Sequence, residues 1–102
     1  MKLRFHPGAR VEYVEALAHL EERRLGYGEK FETEVFAALQ RALDFPGSGA
    51  QVPGYPEQVN LRAFPLRVFR YSLMIHFDGD EAVVYAVAHQ HREPGYWRDR
   101  LK

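Results

Sequence analysis

FRYSLMIHFDGDEAVVYAVAHQHREPGYW, Phe69 to Trp97, carries two runs dense in β-branched and aromatic residues around Asp78-Gly79-Asp80. Such residues suit the pleated, half-buried surface of a strand, and a short Asp-Gly turn between two such runs is a hairpin signal. The runs read as LRVFRYSLMIHF, Leu66 to Phe77, and EAVVYAVAHQH, Glu81 to His91. Alternation in the first places Phe69, Tyr71, Leu73, Ile75 and Phe77 on one face and Arg70, Ser72, Met74 and His76 on the other. The second is apolar on both sides, with Ala82, Val84, Ala86 and Ala88 opposite Val83, Tyr85, Val87 and His89. A small antiparallel sheet usually leaves one face wet. Two outcomes follow for this strand: a partner segment or a second copy of the chain covers it, or it lies centrally with the C-terminal tail folded over it.

Upstream, QVNLRAF (Gln58 to Phe64) predicts another strand, with Arg62 alternating between Leu61 and Ala63, and Pro65 predicts a turn or bulge. FPGSGAQVPGYPE, Phe45 to Glu57, has three prolines and three glycines and reads as one surface loop. Two amphipathic helices precede it. In ARVEYVEALAHLEERRLG the apolar residues Val11, Val14, Leu17, Ala18 and Leu25 suggest the buried stripe, and Gly26 and Gly28 supply the stop. Phe31, Val35, Ala38, Leu39 and Ala42 form the stripe of the second helix, with Glu29, Glu32 and Glu34 toward its N-terminal end. KLRF, Lys2 to Phe5, is a short strand that stops before Pro7. The expected fold class is α+β in the order β-α-α-β-β-β, a helical hairpin packed on one face of a small, mainly antiparallel sheet. The tail PGYWRDRLK is expected to hold one helical turn.

The chain of 102 residues is expected to form a single domain, 46% hydrophobic and 27% charged. It contains no cysteine, which excludes disulfides and thiolate metal sites. It lacks a run of the ~20 apolar residues that a membrane span needs, and MKLRFHPGAR has no signal-peptide core. A soluble, unprocessed, cytoplasmic protein is expected, with no membrane role. The formal net charge is zero, so the overall field gives no reason to expect nucleic-acid binding. Locally, Val59 to Phe77 holds Arg62, Arg67 and Arg70 and no acidic residue, while Val11 to Glu34 carries seven glutamates.

The β-α-α-β-β-β order ending in this hairpin resembles the RelE/ParE superfamily, the toxins of bacterial type II toxin-antitoxin modules. The likeness covers nearly the whole chain. AVAHQHREPGYW is similar to the closing signature of ParE-type and plasmid-stabilisation-type members; Phe69-Arg70-Tyr71 stands where a Phe-Pro-Tyr often opens the preceding strand, and LGYGEKF fits the glycine turn before an aromatic anchor. The resemblance implies a cytoplasmic toxin that inhibits growth and is neutralised by a cognate antitoxin, whose C-terminal segment lies over helices and sheet. It also implies one of two targets: DNA gyrase, bound without hydrolysis, or messenger RNA cleaved on the ribosome.

Ribonuclease chemistry needs a base, a proton donor and cations at the phosphate. His91, Arg70 and Arg92 are the candidate catalytic residues for that reading, and Arg62, Arg67 and Tyr96 are candidates for target binding. Two departures weigh against cleavage: Ser72 stands where ribonuclease members tend to carry an arginine, and no lysine occurs between Lys30 and Lys102. His91 falls close to a histidine of some ribonuclease members. His89 and His91 form a bare His-x-His pair, with His76, Asp78 or Glu93 as the third ligand a metal would need, too unspecific to predict one; neither metal nor cofactor is expected. His89 is expected to cap the last strand through a backbone hydrogen bond, and Trp97 to fold back and seal a core edge. Arg62, Arg67 and Arg70 have a plainer reading too, as solvated strand residues pairing with the glutamates of the first helix.

Overall fold

The computed structural model describes residues Met1–Leu101. The elements are β1 (Lys2–Phe5), α1 (Pro7–Arg23), α2 (Tyr27–Asp44), β2 (Ala50–Gln51), β3 (Leu61–Pro65), β4 (Tyr71–Asp78) and β5 (Glu81–His89), with a final 3-10 turn at Arg98–Leu101. The sheet runs β1-β5-β4-β3-β2; β1 is parallel to β5 and the other pairs are antiparallel. The α+β class and the helical hairpin on the sheet agree with the sequence reading. The two-residue β2, inside the predicted loop, adds an edge strand.

The helical hairpin is closed by a residue the sequence reading passed over. Gly26 has φ 92°, the left-handed region that favours glycine. The carboxylate of Glu21, near the end of α1, accepts the N–H groups of Gly26 and Gly28 at 3.0–3.1 Å. That satisfies donors at the start of α2 that have no partner within the helix. The α2 stripe is buried as expected, but of the α1 stripe only Leu17 turns inward, and Ala18 is exposed. Val11 and Val14 face solvent, Leu25 is 90% exposed, and the inward face is Ala9, Tyr13, Ala16, Leu17 and Leu20. Small alanines let α1 approach closely, and Glu12 flanks this face because its charge is matched by Arg100.

The strand limits differ from the expected ones for definable reasons. β3 starts at Leu61 because Glu57–Val59 forms a 3-10 turn ending at left-handed Asn60. β4 starts at Tyr71, since residues 66–70 form a loop whose Arg67, Val68 and Phe69 N–H groups all donate to the Glu34 carboxylate of α2. On β4, Phe69 (just before it), Leu73, Ile75 and Phe77 fill the core beneath the helices, with Tyr71 partly buried there.

In β5 the alternation breaks. Met74 pairs with Ala86 and Ile75 with Val84, so Tyr85 is an extra residue, a β-bulge. Beyond it the faces switch: Val87 joins the helix-side core, while Ala86 and Ala88 join a second cluster with Val52, Leu61 and Trp97. Tyr55, Val59, Met74, Tyr96 and Leu101 pack around that cluster. The twice-apolar strand is thus covered within the chain, by the tail and by the segment after β2, and needs neither a partner nor a second copy. For the same reason Ser72, Met74 and His76 are half-buried and do not form an open basic face.

Candidate functional site

β1 ends at Phe5, opposite Val84, so the rest of β5 has no strand beside it on that edge. The bulge there leaves backbone groups in need of partners. Val87 N–H donates to Glu12 Oε1 at 3.0 Å, and Arg100 Nη1 donates to the Tyr85 carbonyl at 2.9 Å. Arg100 and Glu12 bond each other twice, and the Tyr96 hydroxyl donates to Glu12 Oε2 at 2.7 Å. One carboxylate thereby joins α1, β5 and the tail. Burial alone would raise the pKa of Glu12, but the hydrogen bonds from Arg100, Tyr96 and Val87 hold it below the ordinary carboxylate value. The same contacts push Tyr96 well above the usual phenol value, through burial first and then the bond to Glu12.

Beside this junction the chain turns after β5. Gln90 N–H donates to the Arg70 carbonyl and Arg92 N–H to the His89 carbonyl. His91 therefore lies in a turn and not on the strand, and its own N–H donates to His89 Nδ1 at 3.1 Å. His89 caps the end of β5 in this way, as its position suggested. Its ring stands edge-on to Tyr71, with centroids 5.0 Å apart. Its pKa is lowered by partial burial, then by the neighbouring His91, Arg70 and His19.

The candidate residues fall into separate surroundings. Arg70 Nη1 and His91 Nε2 approach to 3.5 Å, and the Arg92 guanidinium lies 4.1 Å from the centre of the Tyr96 ring. Arg92 and His89 line two neighbouring depressions: a cavity of about 290 Å³ toward Trp97, and a cleft of about 220 Å³ toward Glu12, Glu15 and His19. Arg62 is not part of this group. It pairs with Ile75 on the helix side of the sheet, and its Nη1 reaches the Gly49 carbonyl at 3.5 Å. Arg67 lines a groove against α2 with Glu29, Lys30 and Val68. Trp97 is 3% exposed and stacks near Tyr55, sealing the second core.

The glutamates of the helices serve the backbone more than they serve Arg62, Arg67 and Arg70. Glu21 and Glu34 accept N–H groups, and Glu12 pairs with Arg100. Glu12 and Arg100 are the site-building residues that sequence reasoning missed. A polar residue flanking the inward side of α1 was the available signal, but its partner is 88 positions away. Among the described residues, no group of three or more His, Cys, Asp or Glu side chains is placed to hold a metal ion, and no helix is long and apolar enough to cross a membrane.

No family model matches the sequence, and no curated protein matches it. A solved structure does: a chain of the "Chromosomal ParDE TA system from P. aeruginosa" superposes with a TM-score of 0.64 over 87% of this chain and 95% of that chain, at 16% identity. At that identity the likeness speaks to architecture, and the chain shares its fold with a component of a ParDE system.

Proposed function

We propose that this chain is the toxin of a type II toxin-antitoxin module, held inactive in the cytoplasm by a cognate antitoxin, and that it arrests growth by contact with a protein target, DNA gyrase. The fold shared with a ParDE component supports the first half. So does the outer face of the hairpin, where Val14 and Phe36 stay exposed around a groove of about 370 Å³ that also holds Tyr13 and Glu32. Large apolar side chains left in water beside a groove suit a segment supplied by a partner.

The observation that carries the second half is the state of the groups able to move protons. RNA cleavage needs two such groups around the reacting phosphate. In the cluster of Arg70, His89, His91, Arg92 and Tyr96, the Tyr96 hydroxyl is committed to Glu12 and His89 Nδ1 to a backbone N–H. That leaves His91 beside a guanidinium, and Nε2 as the remaining nitrogen of His89, an arrangement suited to touching an anionic or polar surface. Arg70, His91 and Arg92 are the proposed contact residues; Arg62, on the helix side of the sheet, and Arg67, in the groove against α2, lie apart from them and are proposed only as separate contacts.

A second reading, a ribosome-dependent mRNA endoribonuclease, is favoured by the 3.5 Å approach of Arg70 to His91, which would place a cation and a proton carrier at one phosphate. The purified chain is tested in two reactions, one with gyrase and supercoiled plasmid and one with translating ribosomes. Gyrase-dependent linear DNA with intact mRNA supports the first reading. Cut mRNA with unchanged plasmid supports the second.

A further inference from the structure

We propose that Glu12 is a positioning residue: its carboxylate holds Tyr96 beneath Arg92 and so sets where the contact site presents that guanidinium. The inference rests on the reading of Arg92 as a target-contact residue.

Arg92 is an exposed side chain on a turn, and such a chain samples many rotamers unless something holds it. The holder is the Tyr96 ring, 4.1 Å from the guanidinium carbon. Tyr96 is itself tied down at its far end, where its hydroxyl donates to Glu12 Oε2 at 2.7 Å. A phenol that donates to a carboxylate gains electron density in its ring, and the attraction between ring and cation grows with that density. Glu12 thus acts twice on Arg92 without touching it: it places the ring and it makes the ring a better partner.

Glu12 is well placed for this because it cannot swing away. Oε1 is engaged by Val87 N–H and Arg100 Nη1, and Oε2 by Arg100 Nη2 as well as Tyr96. The Arg100 guanidinium packs so tightly on Gly8 that a Cβ there would stand 2.7 Å from it. The arrangement joins the first turn of α1, the bulge of β5 and the tail into one support for the turn that bears Arg92. A carboxylate whose role was only to fill the bulge would need Val87 and Arg100 and would have no use for Tyr96.

The test is the Arg92 Nε–H resonance of the full-length, ¹⁵N-labelled protein, read beside growth inhibition on expression. A proton over the face of a tyrosine ring is shifted upfield. The wild-type signal is expected to be shifted so, to return to the free-arginine position in Glu12→Gln, and to move partway in Tyr96→Phe, with the other amide signals of the sheet retained. An Arg92 signal unmoved in Glu12→Gln overturns the proposal. Should Glu12→Gln fail to fold, Tyr96→Phe decides, because it keeps the ring and removes only the donor; an unmoved signal there overturns the proposal equally. In cells, Glu12→Gln and Arg92→Ala are expected to weaken growth inhibition, and the double variant to be no weaker than Arg92→Ala alone. Additive losses contradict a role through Arg92. Full inhibition by Arg92→Ala would refute the contact site itself, and the Arg92 signal would still decide whether Glu12 positions it.

Discussion

Glu12 on α1 and Arg100 in the C-terminal turn, 88 positions apart, form a two-bonded ion pair with N···O distances of 3.0 and 2.9 Å. The pair closes the bulged edge of β5, because Val87 N–H and the Tyr85 carbonyl bond to its two members. Removing Glu12 leaves a hydroxyl and a backbone N–H without their acceptor and the Arg100 guanidinium with only the Tyr85 carbonyl, and partly buried groups so orphaned are costly. Glu12→Ala is expected to lower stability by about 3 kcal/mol. Urea unfolding checks this: the midpoint falls and the slope stays the same.

The same pair gives stability a pH dependence of known sign. The folded pKa of Glu12 lies below its ordinary value of 4.5. Its contribution is therefore complete above about pH 4.5 and is lost as pH falls through the lowered folded value. Unfolding free energies measured between neutral and acid pH should decline less in Glu12→Gln than in the wild type over that window.

His89 titrates below the ordinary histidine value of 6.5, through partial burial and then through its neighbours His91, Arg70 and His19. The fold favours the neutral ring, so its share of stability is complete above 6.5 and declines as pH falls toward the lowered value. Arg70→Ala removes one of those neighbours and should raise the His89 pKa, as followed by the imidazole proton resonance. An unchanged titration would place Arg70 away from His89.

Glu34 accepts the N–H groups of three consecutive residues, Arg67, Val68 and Phe69. In Glu34→Ala the amides of this loop should lose their protection from hydrogen exchange, and the protein should lose about 1 kcal/mol, since water can take over the exposed Arg67 and Val68 donors. The amides of β5, on the other side of β4, should keep their protection.

Trp97 is buried in the second core against Val52, Leu61, Ala86 and Ala88. Trp97→Ala is expected to cost about 3–5 kcal/mol and to uncover this face of the sheet. Binding of a dye for exposed apolar surface, absent in the wild type and present in the variant, reads the uncovering directly.

The hairpin and α2 were legible in the sequence because their apolar residues follow one period along a continuous run. Phe31 to Ala42 repeats at helical spacing, and Leu73, Ile75 and Phe77 alternate, so local pattern and tertiary burial agree. α1 misled for the opposite reason. Its valines outrank its alanines in hydrophobicity, yet close packing selected Ala9 and Ala16 for the interior. The faces of β5 past Val84 were illegible too, since one bulged residue reverses every later side chain and no nearby residue announces it. In HQHREPGYW, the strand-capping role of His89 and the sealing role of Trp97 could be read from their places after a strand and after a Pro-Gly turn. The bond from Tyr96 to Glu12 could not, because it spans 84 positions.

The claim that the chain acts by touching its target is tested most directly by expressing His91→Ala without an antitoxin and assaying gyrase in the arrested cells. The account predicts that losing this one contact weakens growth arrest without abolishing it, and that gyrase-dependent linear DNA still accumulates. A folded His91→Ala protein that no longer arrests growth, beside a wild type that cleaves mRNA on ribosomes, would contradict it.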